Sequence, residues 1–154
     1  MTNKIAIVQI RGTVGIHPDV RKTLDLFRLH QKHVCVVVDD NEVSRGMLQK
    51  VKDYVTYGEI EESFFKEIID KRGEVVGKKK ASEVKLDSAK IAKEFFAGEI
   101  KLRDFEAKYQ LKPFFRLHPP IGGYERKGIK MPFAKGGVLG NRKEEISKLI
   151  SKML

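Results

Sequence analysis

Cysteine is nearly absent: the 154 residues contain one, Cys35, set inside the apolar run VCVVV. A single thiol excludes an intrachain disulfide framework and a cysteine-rich zinc site, and its place in such a run fits a reducing cytosol, so a cytoplasmic protein is expected. Long apolar runs are missing as well. No stretch approaches the roughly 20 residues that a membrane helix needs. The opening MTNKIAIVQIRG reaches Arg11 after too short an apolar run for a secretory signal, so no membrane partner is expected. Carboxylates, finally, are scarce in the last third. Residues 1–100 hold 18 Lys+Arg and 16 Asp+Glu, a net of 18 − 16 = +2, whereas 101–154 hold 13 and 5, a net of 13 − 5 = +8. A generally basic surface would spread its charge evenly. This clustering points to a localised polyanion site.

The length suits one ordinary domain with its own core, without repeats or low-complexity tracts. KIAIVQIRG, 4–12, reads as a strand ending at Gly12. A helix follows, with His17 at the cap, Pro18 in the first turn, and Val20, Leu24 and Phe27 on one face. HVCVVVDD, 33–40, is a second strand of the fully buried type. Asn41 or Ser44 caps the next helix, in which Met47, Val51, Tyr54 and Val55 keep the helical period and Gly58 is the expected stop. Residues 1–58 thus read as a strand-helix-strand-helix core.

Residues 59–110 read as an inserted helical segment, an accessory layer of mixed charge. Phe64, Phe65, Ile68 and Ile69 form a stripe that stops at Gly73; GKKKAS is a basic turn; Asp87 caps SAKIAKEFFAG; and KLRDFEAKY ends before Pro113. The third strand that a stable sheet requires is expected at PFFRLHPP, 113–120. A basic loop and a terminal helix complete the chain at 121–154. In that helix Asn141 and Glu144 resemble a capping box, and Ile146, Leu149, Ile150 and Met153 form the apolar face.

The chemistry lies in the loop. Residues 112–143 carry Lys112, Arg116, Arg126, Lys127, Lys130, Lys135, Arg142 and Lys143 against one acid, Glu125, with 6 of the 13 glycines and 4 of the 5 prolines. Glycines let backbone amides approach phosphates and the cations neutralise them. A mere linker has little use for Phe114, Phe115, Tyr124, Met131 and Phe133. The expectation is a basic arm without a core of its own, ordered by the nucleic acid that it binds. Arg11 at the end of the first strand, and Arg45 before Gly46 near a helix start, suggest that one end of the sheet faces the same polyanion.

Other chemistries find less support. KGGVLGNR lacks the spacing of a phosphate-binding P-loop and does not follow the first strand as a dinucleotide fingerprint must. His30, His33 and Cys35 are at most a partial metal set. His118 has no nucleophile spaced beside it and reads as an RNA-contact side chain. No cofactor, metal or catalytic residue is implied.

IAIVQIRGTVGIHPDVRKTLDLFRLHQKHVCVVVDD, then SRGMLQKVKDYVTYGE, FRLHPPIGG and KGGVLGNR, together resemble the L-thirty family of large-subunit ribosomal proteins, called L-seven in eukaryotes. The resemblance covers nearly the whole chain and is weakest over 74–110. Length, insertion and tail look like the archaeal and eukaryotic form, and the lack of a long basic N-terminal extension favours an archaeal source. It implies an α+β fold, a ferredoxin-like three-stranded sheet with two helices on one face, and a non-catalytic role as a monomer within the ribosome. The implied partners are large-subunit ribosomal RNA, neighbouring ribosomal proteins and a nearby 5S RNA. The expected RNA-binding residues are Arg11, Arg45, Gly46, Arg116, His118, Gly122, Gly123, Arg126, Lys127, Lys130, Lys135, Gly136, Gly137, Asn141 and Arg142. Two rivals remain: a single-strand RNA module of the RRM type, which would need aromatics displayed from its sheet, and a small phosphate-ligand enzyme.

Overall fold

The computed structural model describes residues 3–77 and 86–154; the expected GKKKAS turn falls largely outside them. Strands β1 (Lys4–Gln9), β2 (Val34–Asp39) and β3 (Val55–Ile60) form the body of the sheet. They alternate with helices α1 (Pro18–Leu26) and α2 (Glu42–Val51). β1 lies in the middle and pairs antiparallel with both neighbours, Lys4 facing Asp39 on one side and Ile60 on the other. Two-residue strands extend the edges: β4 (Phe115–Arg116) beside β2, and β5 (Gly140–Asn141) parallel to β3, giving the order β4-β2-β1-β3-β5.

Burial on both faces explains the unbroken apolar runs of β1 and β2. Ile5, Ile7, Val34 and Val36 pack with Leu24, Phe27 and Leu29 of the α1 region and with Leu48 and Val51 of α2. The opposite face, Ala6, Val8, Ile10, Cys35 and Val37, lies under α3 (Glu62–Arg72), α4 (Ser88–Ala97), α5 (Phe105–Tyr109) and α6 (Ile146–Ser151). In this second core the rings of Phe65, Phe95 and Phe105 stand 5.0 to 6.3 Å apart. Burial pushes the Cys35 thiol up to about 12, so it is an inert core group. Lys4 is buried too, its ammonium paired with Asp39 and 4.0 Å from the centre of the Phe95 ring.

Three expectations change. The third long strand is 55–60, not 113–120, where only Phe115 and Arg116 pair with β2. α2 ends at Val51, and β-branched Val55 and Thr56 with Tyr57 then carry the chain extended. Gly58 is a mid-strand residue rather than a helix stop. A Cβ there would lie 2.0 Å from the carbonyl oxygen of Lys143 and 2.9 Å from Cβ of Ile146, so its hydrogen is what lets the C-terminal turn close onto β3. The segment 59–110 is likewise no accessory layer. It begins inside β3 and supplies Phe65, Ile68, Ile69, Ile91, Phe95 and Phe105 to the core.

Candidate nucleic-acid interface

The basic loop is built on an internal scaffold, contrary to the expectation of an arm ordered only by its ligand. Its entry is tied to the C-terminus, where His118 N donates to Met153 O at 2.9 Å and Ile121 N to Lys152 O at 2.8 Å. Tyr124 sets its hydroxyl 3.1 Å from Nδ1 of His33. Burial and the nearby Lys32 charge hold that imidazole below its ordinary value and favour its neutral form. Val138 and Leu139 are buried in the second core. Val138 N donates to Met131 O at 2.9 Å, and the exit closes where Arg142 N donates to Tyr57 O at 2.8 Å.

Arg142 is the centre of that scaffold rather than a ligand contact. Its side chain is 2% exposed and forks onto Glu125, with Nη2 to Oε2 at 2.6 Å. Nε donates to Thr56 Oγ1 at 2.9 Å, and the guanidinium lies 4.7 Å from the centre of the Phe133 ring. Burial would raise the Glu125 carboxyl, but the hydrogen bonds and charge of Arg142 hold it below its ordinary value. The glycines serve turns and packing: Gly122, Gly123 and Gly136 have positive φ, and a Cβ on the buried Gly137 would meet the Met131 carbonyl oxygen at 2.0 Å. Asn141 accepts from Lys143 N at 2.8 Å through Oδ1, and His118 takes a 2.9 Å contact from Arg72 at Nε2.

With Arg142 committed inward and Lys112 paired to Glu74 at 2.7 Å, the loop still presents Arg126, Lys127, Lys130 and Lys135 to solvent. None of these four has an acidic partner among the described residues. Arg116 is also exposed, its guanidinium 5.6 Å from the centre of the Phe114 ring.

Arg11 and Arg45 do not share an end of the sheet. Arg11 follows β1, where its backbone N donates to Tyr54 O at 3.1 Å; Arg45 sits beside Asp40, whose N donates to Asn3 O at 3.0 Å at the other end of that strand. At about 3.4 Å per residue the two ends are about 20 Å apart. Arg45 is also tethered, with Nε and Nη2 each 2.6 Å from a carboxylate oxygen of Asp40, a pairing that holds the Asp40 carboxyl below its ordinary value. Gly46, mid-helix in α2, has open space around it.

The Arg11 end, by contrast, gathers cations from three parts of the chain. A depression of about 410 Å³ is lined by Arg11, by Lys52, Asp53 and Tyr54 from the turn between α2 and β3, and by Lys130 and Pro132 from the loop. A neighbouring one of about 350 Å³ is lined by Arg11 and Tyr54 again, with Lys32, Ile16 and Ile129. Lys32, Lys52 and Tyr54 escape a sequence reading. Tyr54 reads there as a helix position, and only the strand start at Val55 brings it beside Arg11.

Comparison with known proteins agrees with this architecture. Residues 5–55 match the family model described as ribosomal protein L30p/L7e. The chain is 45% identical to the large ribosomal subunit protein uL30 of Methanococcus vannielii, over 97% of this chain and 98% of that protein. It is 41% identical to its counterpart in Methanopyrus kandleri, over 94% of this chain and 100% of that protein. For the counterpart in Staphylothermus marinus the identity is 40%, with both chains covered in full. The chain therefore belongs to the ribosomal protein L30p/L7e family, in its archaeal form.

Proposed function

We propose that this chain is a non-catalytic structural constituent of the large ribosomal subunit that grips ribosomal RNA with the Arg11 end of its sheet and the exposed face of the basic loop. The single observation that carries the placement is the convergence of Arg11, Lys52 and Lys130 around one depression, from a strand end, a helix-to-strand turn and the loop. Asp53 lines the same depression but meets Arg11 through its backbone carbonyl and forms no ion pair among the described residues, so three cations against one carboxylate leave a net positive cluster that suits a phosphate backbone. Arg126, Lys127 and Lys135 extend the contact along the loop, and Arg45, tethered by Asp40, offers a separate outlying one. A sheet-stacking mode of the RRM type does not fit, because helices bury both faces of the sheet.

The protein works as a single copy within the ribosome, in the cytoplasm, among ribosomal RNA and neighbouring ribosomal proteins, with 5S RNA nearby. Filter binding to a fragment of large-subunit ribosomal RNA over a potassium series tests the surface. Combined substitution of Arg11, Lys52 and Lys130 by alanine should weaken binding and flatten its salt dependence by about 2 in log-log slope. Unchanged binding would move the contact elsewhere on the protein.

A further inference from the structure

The two depressions at the Arg11 end share one wall. The Arg11 guanidinium carbon lies 5.1 Å from the centre of the Tyr54 ring, and Nη1 donates to the Asp53 carbonyl at 3.3 Å. Arg11 is thus held over the ring from two sides while staying part exposed. Both depressions are lined by this pair: one adds Lys32, Ile16 and Ile129, the other Lys52, Lys130 and Pro132. At about 350 and 410 Å³ both are ligand-sized. Phosphate neutralisation needs cations on an open surface. It does not need two adjoining depressions that share an arginine-aromatic pair in their lining.

From this arrangement we infer that the Arg11–Tyr54 wall is a stacking platform for unpaired nucleotides, one base entering each bay while Lys32, Lys52 and Lys130 take the flanking phosphates. The inference rests on the reading of this end as an RNA surface and narrows its target to bulged or looped nucleotides. A paired base within a helix has its faces covered by its neighbours and cannot present them to side chains. Flat π faces and a guanidinium plane are what such bases stack on, with little regard to base identity. Gly12 lies at the same rim, where a Cβ would stand 3.2 Å from Lys32 Cε.

The test compares a fully paired RNA hairpin with the same hairpin carrying a two-nucleotide bulge that contains 2-aminopurine, by anisotropy and by quenching of the fluorescent base. The intact protein should bind the bulged RNA at least about thirtyfold more tightly, the equivalent of two stacked bases at the low end of their range, and should quench the probe. Tyr54→Leu should bring the affinity for the bulged hairpin down to that for the paired one and leave the probe unquenched. Tyr54→Phe should keep both the preference and the quenching. Arg11→Lys, which preserves charge but not the planar fork, should reduce the preference. Equal affinity of the intact protein for the two hairpins, or an unquenched probe, would overturn the stacking platform yet leave phosphate binding standing. Salt-independent or absent binding to both would overturn the RNA surface and the platform together.

Discussion

Replacing Arg142 with alanine separates a structural arginine from an RNA-contacting one. The substitution removes a bidentate pair with Glu125, a bond to Thr56 Oγ1 and the contact with the Phe133 ring. Breaking a buried ion pair by deleting one partner costs about 3–5 kcal/mol. Two features place this case near the lower bound. Glu125 is 31% exposed, so water recovers part of its solvation once the guanidinium has gone. Thr56 keeps its own bond to the Gly140 carbonyl, at 3.2 Å, so no hydroxyl is orphaned. The expected loss is about 3 kcal/mol, and at about 2–4 °C per kcal/mol for a chain of this size the midpoint of thermal unfolding should fall by about 6–12 °C.

The assay is thermal unfolding of Arg142→Ala, Glu125→Gln and the double variant, with RNA binding measured on the same samples at a temperature where all are folded. The two single losses should overlap, leaving a coupling of more than about 1 kcal/mol. The salt slope of RNA binding should be unchanged. A midpoint within 2 °C of the parent, with a slope reduced by about 0.7 to 0.9, would refute the reasoning and return Arg142 to the phosphate contacts.

Lys130→Ala should do the reverse, lowering the salt slope by about 0.7 to 0.9 with no change in the unfolding midpoint. Gly137→Ala forces a Cβ against the Met131 carbonyl oxygen and should cost about 1–3 kcal/mol by unfolding. Phe65→Ala should cost about 3–5 kcal/mol in denaturant titration, a loss that an accessory layer would not produce. Acid titration should erode stability through Glu125 and Asp40. Both carboxyls are held below their ordinary values of 4.5 and 3.8, so their contribution is complete above those values and is lost as pH falls through the lower folded ones. Glu125→Gln should make the acid limb shallower.

How far residues alone carry a reader depends on which physical effect decides each position. β1, β2 and α1 are legible because local signals agree with tertiary placement: His17 Nδ1 does accept from Asp19 N, at 3.3 Å, and Pro18 does open the helix. β3 is not, because Tyr54 and Val55 happen to continue the helical period of α2 while Gly58 mimics a stop. The reason for that glycine, the Lys143 carbonyl against β3, is a contact 85 residues away in sequence. The loop cations are legible as charge, but charge does not say which of them a buried acid has claimed. Glu125 is the one acid in that basic run. Its pairing with Arg142 removes one of the expected contacts and explains why the acid is there.

That pairing bears on how the loop binds. An arm ordered only on its RNA would lose much of its attraction to the entropy of ordering, at about 1–2 kcal/mol per residue fixed. Here Tyr124 on His33, Glu125 on Arg142 and the buried Val138 and Leu139 hold the backbone before any ligand arrives. Much of the ordering is met during folding of the protein, by apolar burial and one ion pair, and the cations meet RNA from a largely preset geometry. Lys130 shows the consequence. Its place beside Arg11 and Lys52 follows from where the 131–139 turn docks on the core, so loosening that turn at Gly137 should weaken RNA binding although Gly137 itself is buried away from any phosphate.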